Sequence, residues 1–418
     1  MKKTIVTFTL MLLLLSCTVT SSEQDSSYLE DTWQANRAED IVTANSHFAF
    51  NVLQQLIDTE EPDNIVFSPL SLSLALGMTM NGAAATTLEQ MKQTLHYGDL
   101  ELEEINQQNL HLISNLLEFD PSIILGLANS IWIRNGYPVK EQFIALNEEY
   151  YLSEIFPDLP FNEQTIIDAN AWVSDNTGGR IRDILKNLSE DDVVFLINAI
   201  YFAADWKYQF DSEETTEDYF YTGYNEPVQV PFMNCAGIDF TYLNGENFHA
   251  ARLPYGNGDL AMYVFLPEYG ADLQELISDQ NFASFDSWFA GYEPVPPQMQ
   301  ESSSFSMPSF QVSCSQKYED ILSDLGMPLP FSQYSADFSN MVYEPAHPYI
   351  RYIKQNTWIR TDEQGSEATA ATLVMMADGM PLESNIFVAD RPFLYVIRDD
   401  RDGSILFIGI MNNPLIEE

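Results

Sequence analysis

Reactive side chains and positive charge are both scarce in this chain. Its 418 residues hold three cysteines, five histidines and 18 lysines and arginines against 62 acids, for a net charge of −44 at neutral pH. Beyond Cys17 only Cys235 and Cys314 remain, too few for a disulfide framework. They could pair in an oxidising compartment, but two free, half-buried thiols are the preferred reading. His47, His96, His111, His249 and His347 form no His-Glu-x-x-His zinc motif. A Gly-x-Ser-x-Gly elbow and a glycine-rich phosphate loop are also missing. Cys235 and His249 would be a conceivable thiol–imidazole pair, but both lie in strand-rich sequence without a supporting signature. Catalysis is therefore poorly supported, and no metal or cofactor is expected. The acidic excess argues against nucleic acid and heparin-like partners, which need basic faces. Short clusters such as Glu190-Asp191-Asp192 and Glu213-Glu214 read as solvated surface.

Apolar material is ample. Hydrophobic residues make up 45% and aromatics 13%, enough for a sizeable core and against disorder. Nothing resembling a linker divides the middle. Lys2-Lys3 and the apolar run Ile5 to Leu15 read as a secretion signal, too short to span a membrane as a mature helix. Leu14-Leu15-Ser16-Cys17 looks like a bacterial lipobox, with lipid attached to the Cys17 thiol; an ordinary signal peptide is the alternative. Residues 1–16 then form a signal peptide, 17–40 a lipid-anchored polar tether, and 41–418 the folded domain. The protein is expected outside the cytoplasm, anchored to an outer membrane or cell surface, or secreted.

Periodicity supplies the elements. Ser46 to Ile57 has helical spacing. Ser68 reads as an N-cap with Pro69 at the first helical position, and Leu70 to Met80 as an apolar helix. Thr86-x-x-Glu89 suggests a capping box. Ile123 to Arg134 is strand-like; Val139 to Tyr151 and Ile166 to Leu185 read as helices. Val193 to Phe202 is a continuous apolar run, as for a strand buried on both faces. Asp400-Arg401-Asp402-Gly403 reads as a hairpin turn rather than a calcium loop.

The stretch Glu363 to Ala377 is unusual. It is a run of small and β-branched residues with one charge inside it, Glu367. At period two, Ser366, Ala368, Ala370, Thr372, Val374 and Met376 share one face, which carries no charge. Glu367, Thr369, Ala371, Leu373 and Met375 share the other. A segment that can live as a loop or as a buried strand suggests a switch.

Glu363-Gln364-Gly365-Ser366-Glu367-Ala368-Thr369-Ala370-Ala371-Thr372 resembles the reactive-centre hinge of the serpins. The resemblance extends from about Asn45 to Pro414. Asn64 to Leu76 resembles the family's shutter segment, with Ser68, Pro69 and Ser71 in place. Phe195 to Trp206 resembles the strand carrying the shutter Asn198 and the breach Trp206. Leu253-Pro254-Tyr255, Ala336 to Met341, Asp390 to Arg398, Gly403 to Gly409 and Asn413-Pro414 match further family segments. The resemblance implies an α+β fold of three β-sheets and about eight or nine helices, with an exposed reactive loop. It implies a monomeric suicide inhibitor of extracytoplasmic serine, or in some cases cysteine, endopeptidases. The cut loop would enter the main sheet while the peptidase is still acylated. A non-inhibitory member acting as a binding or chaperone-like protein is the alternative. Family spacing from Glu363 puts the scissile bond between Gly379 and Met380, with Met376, Ala377 and Asp378 as neighbouring candidates. No Lys or Arg lies between Glu363 and Asp390, so elastase- or subtilisin-like targets are favoured over trypsin-like ones. Two positions depart from the pattern. Gln355 stands where the family usually has His, and Ser309 where Lys is common. Both suggest rewired hydrogen bonds around the gate.

Overall fold

The computed structural model describes residues 41–59, 64–117, 123–222, 226–236, 241–245, 247–271, 273–278, 288–289, 293–294, 304–366 and 386–416. All belong to one compact unit, Ala38–Glu418. In the first half run α1 (Ile41–Thr59), β1 (Asn64–Phe67), α2 (Pro69–Met80), α3 (Ala85–Thr94), α4 (Leu102–Leu117), β2 (Ile123–Arg134), α5 (Glu141–Tyr151), β3 (Glu154–Leu159), α6 (Glu163–Asn176) and β4 (Val194–Asp205). Then come β5 (Thr216–Phe220), β6 (Val228–Ala236), β7 (Thr241–Asn244), β8 (Phe248–Tyr255), β9 (Leu260–Pro267), α7 (Leu273–Ser278), β10 (Glu293–Pro294), β11 (Ser304–Pro308), β12 (Phe310–Lys317) and α8 (Glu319–Asp324). Last are β13 (Lys354–Thr361), β14 (Gly365–Ser366), β15 (Ile386–Val388), β16 (Phe393–Asp399) and β17 (Ile405–Met411).

Hydrogen bonding sorts the described strands into four sets. One is β1-β17-β16-β9-β8-β7-β10 and a second is β15-β11-β6-β5. The third is β14-β4-β2-β3 and the fourth is β12-β13, and the two lie in contact where β4 meets β13. The three sheets implied by the resemblance thus resolve into four ladders, because β4 and β13 are neighbours without pairing.

Helix α2 lies at the centre, against β4 and β17. Its Leu, Ser, Ala and Met side chains leave no polar face, so a helix buried nearly all round is the stable solution. Ser68 starts it as read from sequence: its hydroxyl accepts from Ser71 N at 3.1 Å, and Pro69 takes the position whose N–H would go unused. Strand β4 separates two cores. Ile200, Phe202, Ala204 and Trp206 face the main one, whereas Ile197 and Ala199 face a smaller one with Trp132 and Val173 under α6.

Two boundaries differ from the sequence reading. The capping box at Thr86 does not form: α3 begins at Ala85, capped by Ala84 without a side-chain bond. The start is set by tertiary contacts, Ala84 N to Asp337 O at 2.9 Å and Asp337 N to Thr87 Oγ1 at 2.9 Å. Helix α6 ends at Asn176, not near Leu185, because Gly178 and Gly179 take left-handed conformations (φ +56° and +80°). Residues 177–193 continue as an irregular strap. Asn170 holds it by bonding both N and O of Leu185, at 3.0 and 2.8 Å. Ile181 and Leu185 still bury themselves, so their spacing imitates a helix that the glycines have broken. Cys235 and Cys314 are both free.

Candidate functional site: the slot between β4 and β13

The upper end of the slot is built on the last residues of β4. Trp206 is buried and stacks on Tyr255, with ring centroids 4.3 Å apart and planes at 10°. Its backbone N donates to Gln364 O at 2.8 Å and its indole Nε1 to Asp362 O at 2.9 Å. Phe210 N donates to Glu363 O at 2.9 Å, and Thr215 Oγ1 to Glu363 Oε1 at 2.7 Å. The chain leaving β13 is thereby fastened to the segment that follows β4 on both backbone and side chain. Burial, then the neighbouring Asp362 carboxylate, raise the Asp205 pKa above the ordinary range.

Strand β14 then pairs antiparallel with β4, Gly365 opposite Asp205 and Ser366 opposite Ala204. Gly365 has φ +150°, a conformation nearly exclusive to glycine. A Cβ there would meet Ala204 O, and would lie 2.7 Å from Asp205 Cα and 2.8 Å from Trp206 N. Only glycine lets the backbone approach β4 this closely.

Below this point the slot is open. Between β4 and the approach to β13 lies a cleft of about 290 Å³, bordered by Leu196 and Asn198, Ile353 and Gln355, and floored by Ser71 and Ala75 of α2. The residues that the resemblance assigns to a gate sit here. Gln355, buried on β13, closes a two-bond ring with the Ser68 peptide: Ser68 N donates to Oε1 and Nε2 donates to Ser68 O, both at 2.9 Å. Thr357 Oγ1 at 3.1 Å and Tyr318 OH at 3.4 Å also donate to Oε1. A carboxamide can match the donor and acceptor of one residue's backbone together. Asn198 does not join this ring. Its Nδ2 donates to Asn129 Oδ1 across the β2–β4 ladder at 2.6 Å, and Asn129 Nδ2 donates to Tyr151 O at 2.7 Å. The buried Asn198 Oδ1 has no hydrogen-bond partner among the described residues.

The structure therefore brings Glu363, Gly365 and Ser366 together with Trp206 at one end of the slot. It gathers Ser68, Ser71 and Asn198 around its middle, with Pro69 beside them. Glu367, Ala368, Thr369, Ala370, Ala371 and Thr372 lie outside the described residues, as do Met376, Ala377, Asp378, Gly379, Met380 and Cys17. Sequence reasoning missed Asn129 and Thr215, and it quoted Tyr255 within a matching segment without giving it a place at the slot. It noted Gln355 only as a departure. Ser309, the other departure, donates its backbone N to Pro231 O at 3.0 Å. The imagined Cys235–His249 pair has no support in the geometry. Burial pushes the Cys235 thiol up to about 12, and His249 is engaged with Asn244 Oδ1 at 2.9 Å.

A family model described as Serpin (serine protease inhibitor) matches residues 43–414. The chain is a serpin. It is 30% identical over 390 residues to an uncharacterized serpin-like protein of Thermococcus kodakarensis, covering 92% of this chain and 88% of that one. It is 33% identical over 368 residues to Serpin-Z1C of Triticum aestivum, covering 84% and 90%. The crystal structure of tengpin, a thermophilic serpin in its native state, overlays with a TM-score of 0.80 at 29% identity, covering 89% and 94%. Serpins are in general protease inhibitors rather than catalysts, and target proteases are the general kind of partner.

Proposed function

We propose that this serpin inhibits an extracytoplasmic endopeptidase by inserting its cut reactive loop between β4 and β13. The observation that carries this reading is the β14–β4 register. Continued downward, it would put Ala368 opposite Phe202, Ala370 opposite Ile200, Thr372 opposite Asn198 and Val374 opposite Leu196. Directly opposed residues share a face. The charge-free face of the hinge would thus meet the side of β4 that belongs to the main core. Glu367 would fall on the other side. A strand with no charge on its inward face is what this slot can accept, since an unpaired buried charge costs several kcal/mol. The Thr372 hydroxyl would come opposite the Asn198 oxygen that lacks a partner.

The free energy comes from the same geometry. Insertion would pair β4 and β13 through a new middle strand and bury Val374 and Met376, each contributing about 1.5–3 kcal/mol. With the ladder bonds the gain is on the order of 10 kcal/mol. The uninserted fold is then held by a barrier rather than by depth. The chemistry belongs to the peptidase: it attacks the loop, forms an acyl-enzyme and is displaced before hydrolysis finishes.

The absence of Lys and Arg from the loop favours elastase- or subtilisin-like serine peptidases, with cleavage between Met376 and Met380. The Leu-Leu-Ser-Cys sequence favours lipid attachment at Cys17 and a bacterial membrane location. Incubation with a subtilisin-type peptidase and denaturing electrophoresis tests the inhibitory reading. A stable covalent complex supports it; complete cleavage with no complex favours a non-inhibitory serpin. Labelling with a fatty-acid probe, lost in Cys17→Ser, tests the anchor.

A further inference from the structure

Positive charge is rare on this chain, yet three ammonium groups gather near the lower end of the slot. Lys354 opens β13 and stands directly opposite Lys317, the last residue of β12. Opposed residues share a face, and like charges there repel. Lys354 Nζ also reaches the strap, donating to Ile184 O at 3.4 Å, two residues from Lys186. The strap is tied to the slot border at further points. Asn356 Nδ2 donates to Asp183 O at 3.3 Å, and the Arg180 guanidinium lies 5.0 Å from the Trp358 ring centroid.

The neighbouring acids do not neutralise this cluster. Glu319 is 3.9 Å from Lys317, whose side chain is 63% exposed, a pairing of little worth. Asp192 is engaged by Arg351 at 2.9 Å. Asp183 is the attractive charge acting on Lys354, against repulsion from Lys186 and Lys317. Burial, then those two lysines, hold the Lys354 ammonium below the usual lysine range. In a chain with 62 acidic residues, an opposed lysine pair stands out when its compensation is the exposed Glu319 contact, the Tyr352 ring centroid 5.4 Å from Lys317 Nζ and the single carboxylate of Asp183.

We propose that Lys186, Lys317 and Lys354 form a binding site for a tetrahedral oxyanion, phosphate or sulfate, that bridges the strap to the β12–β13 pair. Each ammonium offers three donors, and a tetrahedral oxyanion offers acceptors toward both sides at once. Chloride offers charge without that geometry. The bridging anion fastens the strap across the slot. On the insertion reading given above, it slows entry of the loop.

The test is calorimetric titration of the full chain with sodium phosphate, and separately with sodium sulfate. Sodium chloride at matched ionic strength is the control, because a protein of this charge responds to any salt. Saturable binding is expected in the wild type. It should weaken about tenfold in Lys354→Gln and in the exposed Lys186→Gln, the size of one lost charge-assisted hydrogen bond. No saturable binding, or binding in both variants as tight as in the wild type, overturns the site. Covalent-complex formation with subtilisin should be slower in phosphate than in chloride. Binding with an unchanged rate overturns the coupling while supporting the site. Binding with no complex under any condition supports the site and counts against the insertion reading itself.

Discussion

The two ends of the slot are built differently. At the top, the chain leaving β13 is held to the segment after β4 by backbone bonds at Trp206 and Phe210, by the Trp206 indole and by Thr215, and two rungs of a new strand are formed on β4. In the middle, the borders are tied to other partners and not to each other. Gln355 holds β13 to the start of α2, and Asn198 holds β4 to β2. The top is a nucleus for a strand and the middle is room for one. On the insertion reading, such a division would separate the start of insertion from its completion, since pairing could begin without disturbing the gate.

Four substitutions would break or sharpen this contrast, in order of expected effect. Ser366→Arg stands at the second rung already formed, opposite Ala204, and should abolish trapping: an unpaired arginine would lead a face that otherwise carries no charge, at a cost of several kcal/mol. Electrophoresis should show a cut loop and free peptidase; full trapping would mean that the face assignment is wrong. Trp206→Ala removes the stacked ring from the nucleus and should destabilise the intact protein by about 3–5 kcal/mol, read from denaturant unfolding. A loss below about 1 kcal/mol would show that the top of the slot is not held by this residue.

Gln355→Leu keeps the volume but leaves the buried Ser68 N–H unpaired, while Ser68 O keeps its bond from Leu72 N at 3.1 Å. The intact fold should lose about 1–3 kcal/mol, and stored protein should lose inhibitory activity faster because β13 is freed. Unchanged stability would mean the ring does not hold the gate. Thr372→Val should matter least. It should lower the stability of the loop-cleaved form by about 1 kcal/mol and leave the intact form unaffected. An equal effect on both forms would remove the proposed Thr372–Asn198 pairing.

The elements were legible wherever one physical signal dominated. Ser68-Pro69 starts α2 because capping and proline geometry act locally. The Val193–Phe202 run belongs to β4, whose apolar residues are covered on both faces. Thr86 misled because Asp337, about 250 residues away, sets the start of α3. The apolar spacing beyond Asn176 misled because the strap buries the same residues without being a helix. At the site, Gly365, Ser366 and Trp206 were legible through their resemblance to a known pattern. The two-bond ring of Gln355 was not, since nothing local in its strand says that its partner is the peptide of Ser68. The missing β4–β13 ladder was illegible for the same reason: it is a property of two distant segments together.

Loop cleavage tests the central claim most directly. The protein is nicked with a peptidase that cuts between Met376 and Met380, and the melting of intact and nicked chains is compared in the same buffer. If the loop enters the slot, a gain on the order of 10 kcal/mol should raise the melting temperature by roughly 10 °C or more. Equal melting temperatures for the two forms would contradict insertion and the account built on it.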